Sequence, residues 1–272
     1  MSTLLTAGGA ALADLRYASR ALRRQPTFTA IALLTLTLGI GANTAIFSVV
    51  KAVVLNPLPY DAPEEIVVLW ETNPDGGLDP ASIPGFQDWQ EASSFASLAA
   101  YRHVDLSYAG GEEPRDVPAL RATPELFDVL AAGARVGRTF VADEAVVGAD
   151  RVVVLSHGFW ERSLGAREGV VGTTVVLAGE PFEIVGIMPP GFEFPTATEV
   201  ELWTPLAFDP NDMHGRSRRA RSLLVVGRLE AGTSAEQAQQ EMHVLADRLA
   251  TEYADSNDGW GIRVVAAHDQ LV

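Results

Sequence analysis

The sequence predicts an α+β protein, with one apolar helix near the N-terminus and behind it a larger domain of mixed strands and helices. Three observations carry this reading. Residues Gln25 to Val50 form a run of 26 without a charge. Charge is split around that run: residues 1–24 hold Arg16, Arg20, Arg23 and Arg24 against Asp14, a net of +3, which leaves −18 for the rest of a chain whose total is −15. Beyond it, period-two and period-3.6 apolar patterns alternate irregularly, the mark of an α+β arrangement rather than of repeated βαβ units.

The apolar run comes first in the chain and carries the strongest signal. As a helix it reaches about 39 Å at 1.5 Å per residue, more than the roughly 30 Å hydrocarbon core of a bilayer. The arginines flank its N-terminal end and only Lys51 flanks the other, so the positive-inside rule puts residues 1–24 in the cytoplasm and everything after the span outside. A cleaved signal peptide would be shorter and end in a small-x-small site, which Lys51-Ala-Val-Val-Leu-Asn-Pro-Leu-Pro does not provide. A buried core helix rarely stays uncharged so long, and an interfacial helix needs a charged face. Gly39, Gly41, Asn43, Thr44 and Ser48 make the run more polar than a plain anchor requires. Small and hydroxyl residues let helices approach closely in lipid, so these five are the candidates for packing against other transmembrane helices. Arg16, Arg20, Arg23 and Arg24 are the candidate anchors at the cytoplasmic headgroups, and Pro26 marks the break into the span.

The outer region opens with the proline-rich exit Asn56-Pro-Leu-Pro-Tyr. Ile66 to Trp70 reads as a strand. Ser82 offers an N-cap and Pro84 an early helical position, with Phe86, Trp89, Phe95 and Leu98 as an apolar face. His103 to Tyr108 and Arg115 to Ala122 flank a Gly-Gly turn as a two-strand meander. Thr123 is the expected cap of a short helix bearing Leu126, Phe127 and Leu130. Val152 to Leu155 is a buried strand, with Ser156 as cap of the helix that follows. Thr173 to Leu177 and Phe182 to Met188 form a hairpin about Ala178-Gly179-Glu180. Leu223 to Leu229 is a strand. Thr233 and Glu236 read as a capping box for a helix with Ala238, Met242, Leu245 and Leu249 inward. Gly261 to Ala266 is the last strand.

Chemistry is sparse. The five histidines (His103, His157, His214, His243 and His268) stand singly, without metal-ligand spacing. Ser156-His157 lacks the G-x-S-x-G frame of a nucleophile elbow. Gly39-x-Gly41 lacks the third glycine and the strand of a dinucleotide site, and no P-loop motif occurs. The chain is expected to be non-catalytic, without a cofactor or resident metal. Its acidity argues against a nucleic-acid partner. Gly215-Arg-Ser-Arg-Arg-Ala-Arg221 is the one basic cluster outside the N-terminus, read as a solvated loop facing acidic neighbours, with a docking patch as the alternative. Without cysteine, no disulfide or thiolate chemistry is available.

Asp14-Leu-Arg-Tyr-Ala, Leu-Arg-Arg-Gln-Pro-Thr-Phe-Thr-Ala and Leu-Gly-Ile-Gly-Ala-Asn-Thr-Ala-Ile-Phe-Ser48 occur in order near the start. After them come Asn56-Pro-Leu-Pro-Tyr, Glu125-Leu-Phe-Asp-Val-Leu, Gly137-Arg-Thr-Phe, Val153-Val-Leu-Ser-His-Gly-Phe-Trp160 and Gly179-Glu-Pro-Phe-Glu-Ile-Val-Gly-Ile-Met-Pro-Pro-Gly-Phe192. This series resembles the MacB/FtsX-type ABC transporter permeases, most closely their acidobacterial-type branch, over essentially the whole chain. The resemblance implies a cytoplasmic basic segment (1–24), a transmembrane helix (25–55) and a two-lobed periplasmic core domain (56–272), with one lobe inserted at about 123–205. It further implies the inner membrane as location. The implied partners are a cytoplasmic ABC ATPase, other permease helices or a second permease copy, and membrane lipid. The implied function is to couple ATP hydrolysis by that partner to motion of the outer domain for efflux or export; drugs, peptides and lipoproteins are substrates in the wider family. The alternatives are a membrane-tethered binding or sensing module and a tethered hydrolase. Such permeases continue into further transmembrane helices, whereas nothing after Val50 approaches an 18-residue apolar run, so the chain is expected to be the N-terminal part of a longer permease or a shortened subunit.

Overall fold

The computed structural model describes residues 24–50, 60–110, 113–192, 194, 200–209 and 217–270. The chain divides into two compact units, 1–56 and 57–272. The first contains helix α1, Pro26–Val50, of 25 residues. Pro26 at its start lacks only an N–H that the first turn leaves unbonded in any case. Among the described residues no helix is long and apolar enough to cross a membrane. This covers α1 only in part, because the side chains of its residues 28, 32 and 42–50 lie outside the described ones.

The second unit is built on one large sheet. In chain order its strands are β1 Ile66–Thr72, β2 Leu78–Asp79, β3 Ala81–Ser82, β4 Phe95–Tyr108, β5 Arg115–Ala122, β6 Val136–Gly137, β7 Val152–Leu155, β8 Thr174–Leu177, β9 Glu180–Ile187, β10 Leu202–Pro205, β11 Arg221–Leu229 and β12 Gly261–Ala266. The helices are α2 Ile83–Trp89, α3 Leu126–Val129, α4 His157–Leu164, α5 Ala235–Glu252, α6 Ala254–Asn257 and α7 Ala267–Gln270. The main path runs β12-β1-β11-β4-β5-β10-β7-β9-β6. Because β8 pairs with both β9 and β4, the strands β4-β5-β10-β7-β9-β8 return to their start and close a small barrel. Closure pairs each of these six strands on both sides over at least part of its length. The α+β class read from the sequence is the class observed.

Strand alternation sorts the side chains into three cores. One face of the sheet carries Ile66, Ala99, Tyr101, Leu120, Val154, Trp203 and Val226 under α3 and Phe127. The opposite face carries two separate clusters. Val67, Leu98, Ala100 and Val225 pack under α2 and α5 with Trp89 and Met242. Leu106, Val117, Ala119, Val153, Leu155, Leu177 and Leu202 fill the barrel together with Phe159 of α4. Burial of this kind contributes about 25 cal/mol per Å² of apolar surface and dominates the fold.

Several expectations hold at the level of single hydrogen bonds. Ser82 Oγ accepts from Gly85 N at 3.1 Å and Ser156 Oγ from Phe159 N at 3.0 Å, each capping its helix. The hairpin β8–β9 turns at Ala178 and Gly179, both at positive φ (50° and 81°), the backbone that a two-residue turn between twisted strands demands. Others need correction. The helix after Ser82 stops at Trp89, and Phe95 and Leu98 belong to β4, where they pack against the same core from the sheet. Thr123 does not cap α3, because its hydroxyl accepts from Ala100 N across the strands at 3.2 Å. The capping box of α5 is Ser234 with Gln237 rather than Thr233 with Glu236. Thr233 N is taken by Glu230 O in the preceding turn, and Gln237 Oε1 accepts from Ser234 N at 2.8 Å.

The outer edge of β12 is covered by a side chain. Gln239 of α5 donates to Ile262 O and accepts from Val264 N, both at 2.8 Å, and so takes the place of a neighbouring strand. Gln239→Ala is expected to cost about 1–2 kcal/mol, one side-chain amide's net hydrogen bonding. Faster amide exchange at Val264 should accompany the loss. Unchanged protection there would show that the edge does not depend on this contact.

Candidate functional site

Two regions gather the residues on which function can rest. Ahead of α1, Arg24 is exposed, whereas Arg16, Arg20 and Arg23 lie outside the described residues. Ile31, Leu33, Leu34, Leu36, Leu38 and Ile40 are all at least 59% exposed. At about 100° per residue they spread over somewhat more than half of the helix circumference, and the remaining sector holds Thr35 and Gly39. Monomeric proteins seldom expose contiguous apolar patches beyond a few hundred Å². Thr35 hides its hydroxyl by donating to Ile31 O at 2.9 Å, the bond that lets threonine sit in an apolar medium.

Gly39 and Gly41 are exposed, and a Cβ built on either meets nothing within 4 Å. The side chains of Asn43, Thr44 and Ser48 lie outside the described residues. By helical spacing the five candidates divide: Gly41, Thr44 and Ser48 stand at i, i+3 and i+7 on one face, and Gly39 with Asn43 at i, i+4 on another.

The second region surrounds the start of β11. Glu71 of β1 is 4% exposed. Its carboxylate accepts from Ser82 N at 3.0 Å and from Arg221 Nε. Arg221 in turn lies over the Trp260 ring, 3.3 Å from its centroid, and donates to Ser256 O at 3.2 Å. Arg218, also buried, pairs with Asp88 Oδ2 at 2.5 Å and stacks on Tyr253 at 3.6 Å. Burial raises the Glu71 pKa, and the opposing pull of the Ser82 N–H and of Arg221 is smaller. Gly85 is required here: a Cβ would come within 2.9 Å of both Glu71 Oε1 and Ser82 Oγ. Next to these stacks is an open cleft of about 560 Å³ lined by Arg218, Arg219, Thr251, Tyr253, Asp255 and Ser256.

Residues 215 and 216 of the basic cluster lie outside the described residues; the described part faces acidic neighbours, as expected, but is not a freely solvated loop. Of its described arginines, Arg218 is buried and Arg221 nearly so; the two fasten the segment 253–260 to β1 and α2, and Arg219 donates to Asp255 O at 2.5 Å. Nothing in the sequence pairs residues 130 and 150 positions apart; the only hint was an acid, Glu71, inside an apolar strand.

Ser156 and His157, the pair behind the hydrolase alternative, lie at the start of α4. The Ser156 hydroxyl is engaged as a helix cap, and His157 Nδ1 faces Glu161 at 3.5 Å. Among the described residues no three histidine, aspartate or glutamate side chains group as metal ligands, and His214 lies outside them.

Comparison with known proteins places this architecture. The fold is similar to that of the periplasmic region of MacB from Actinobacillus actinomycetemcomitans, with a TM-score of 0.55 and 16% identity over 76% of this chain and 90% of that one. It is also similar to the extracellular domain of the noncanonic ABC-type transporter YknZ from Gram-positive bacteria, with a TM-score of 0.52 and 17% identity over 74% of this chain and 99% of that one. No functionally curated protein matches the chain by sequence. The class defined is thus a domain of the MacB/FtsX-type ABC transporter permeases. The model of the MacB-like periplasmic core domain matches residues 29–245, most of the sequence, and the chain belongs to that family.

Proposed function

We propose that this chain is a non-catalytic permease subunit of an ABC transporter, or the N-terminal part of one. In this reading α1 spans the inner membrane with residues 1–24 in the cytoplasm, and residues 56–272 form the periplasmic domain. A cytoplasmic ABC ATPase hydrolyses ATP, and motion passes through the membrane to the outer domain for efflux or export. The observation that carries the reading is the union, in one family member, of the core-domain fold with an uncharged helix of 25 residues whose described large aliphatic side chains, from Ile31 to Ile40, are all exposed. Such a helix is about 37 Å long, enough to cross the hydrocarbon core with some tilt. The arginines on its N-terminal side support the orientation. Its two small-residue faces suit contact with other permease helices or a second permease copy, the remainder facing lipid. The outer unit is proposed to be two-lobed, with the insert at about 123–205. The sheet order supports this, since β6, β7, β9 and β10 all lie beyond β5 at one end.

The test is mild-detergent extraction of the tagged chain from membranes, followed by identification of what accompanies it. A P-loop ATPase should co-purify with the wild type, and a variant with α1 replaced by 25 leucines should stay in the membrane but lose that partner. If the wild type brings no ATPase, the chain is a tethered binding module. If the polyleucine variant retains it, α1 is a plain anchor.

A further inference from the structure

On the face of the sheet shared by the barrel core and the α5 core, the apolar pattern is interrupted at one register position in three adjacent strands. Along β4 this face reads Leu98, Ala100, Arg102, Val104, Leu106; along β5 it reads Val117, Ala119, Arg121; along β10 and just beyond it, Leu202, Thr204, Leu206. The three interruptions are neighbours, because Arg102 pairs with Arg121 across β4–β5 and Thr204 with Arg121 across β5–β10. A polar seam therefore separates two apolar cores that lie on one surface. Arg121 is exposed, Arg102 half-buried and Thr204 2% exposed, so the seam is open at one end and closed at the other.

Two features mark it as a binding site rather than a gap in the pattern. Arg102 and Arg121 start from directly opposed register positions and so concentrate positive charge on one spot of the sheet. The hydroxyl of Thr204 is buried without a hydrogen-bond partner, although the nearby Thr123 hydroxyl is satisfied by Ala100 N. A buried polar atom left unpaired is a cost that a valine of the same shape would avoid.

We infer that the Arg102–Arg121–Thr204 seam binds a compact oxyanion, a phosphate or carboxylate group, with Arg121 supplying the forked donors, Arg102 added positive potential and Thr204 one hydroxyl donor. Guanidinium matches the oxygens of such groups in a bidentate geometry that a lone point charge does not reproduce. The site stands against the net charge of −15, so general attraction of anions by the protein does not account for binding there. Its position between the two cores makes the bound group a link between the barrel and the rest of the sheet. The inference is independent of the transport reading.

The experiment is thermal unfolding of the full chain in detergent micelles, titrated with inorganic phosphate, acetate or glycerophosphoglycerol (the free headgroup of an anionic lipid), each against sodium chloride at matched ionic strength. A saturable rise in Tm is expected with at least one of the three. Thr204→Val should weaken its apparent affinity at least about tenfold, and Arg121→Gln should remove saturation. A response strongest for glycerophosphoglycerol assigns a lipid headgroup, and one strongest for phosphate or acetate assigns a free oxyanion. Each variant's response is judged against its own value without ligand, so altered stability does not mask the result. No rise above chloride, or responses of Thr204→Val and Arg121→Gln equal to the wild type, would overturn the inference.

Discussion

Glu71→Ala is expected to remove about 3–5 kcal/mol of folding stability, the usual consequence of deleting one partner of a buried ion pair. The substitution leaves the Arg221 guanidinium, whose side chain is 10% exposed, against Trp260 with no counter-charge. It also strips the acceptor from Ser82 N, at the point where β3 passes into α2. Glu71→Gln keeps an oxygen for Ser82 N and loses only the charge, so its effect should be smaller. The pH dependence separates charge from shape. Burial raises the pKa of Glu71 in the folded protein above its ordinary value of 4.5. A raised carboxylate contributes stability that is complete below about the ordinary pKa and is lost as pH rises through the folded value. Relative to Glu71→Gln, the wild type should therefore lose stability as pH rises through this window, measured by urea denaturation at a series of pH values. A difference that instead grows with pH would mean that attraction to Arg221 outweighs burial.

Phe159→Ala is expected to cost about 3–5 kcal/mol, the range for a phenylalanine removed from a close-packed core. Phe159 is 0% exposed inside the barrel, edge-on to Tyr108 at 5.1 Å. Arg115 lies over its ring, 5.7 Å from the centroid. The damage should be local. Amide exchange should accelerate in β7, β8 and β9 while α5 and β12, which belong to another core, keep their protection. Uniform loss across the outer unit would argue that the barrel and the rest of the sheet open together, against a two-lobed division.

What the sequence revealed follows from how local each feature is. The hairpin at Ala178-Gly179, the caps Ser82 and Ser156, and the strands at 152–155 and 261–266 are set by neighbours within a few residues, and local chemistry identified them. The Ser234 cap was missed by one position because Thr233 is equally fit for the role, and only the turn bond from Thr233 N to Glu230 O decides between them. The length of β4 was hidden because Phe95-Ala-Ser-Leu-Ala-Ala-Tyr has weak strand propensity; it becomes a strand by pairing with β11, more than a hundred residues later. Leu202–Pro205 shows no alternation because β10 is covered on both faces between β5 and β7. Barrel closure rests on the single β4–β8 register pair Tyr108↔Leu177, which no pattern announces. For the sites, the uncharged run was plain at once. The arginine clamps and the Arg121–Thr204 seam depend on register between distant strands, so single-residue reading could not assemble them.

The central claim is that α1 spans the membrane and holds the outer unit on the far side. Because the chain has no cysteine, single cysteines report topology without background. Val244→Cys, at a position 71% exposed on α5, and Ser2→Cys, ahead of the arginines, would each be treated with a membrane-impermeant maleimide in intact cells with a permeabilised outer layer. The account predicts labelling of Val244→Cys before lysis and of Ser2→Cys only after it. Protection of Val244→Cys until lysis would contradict it.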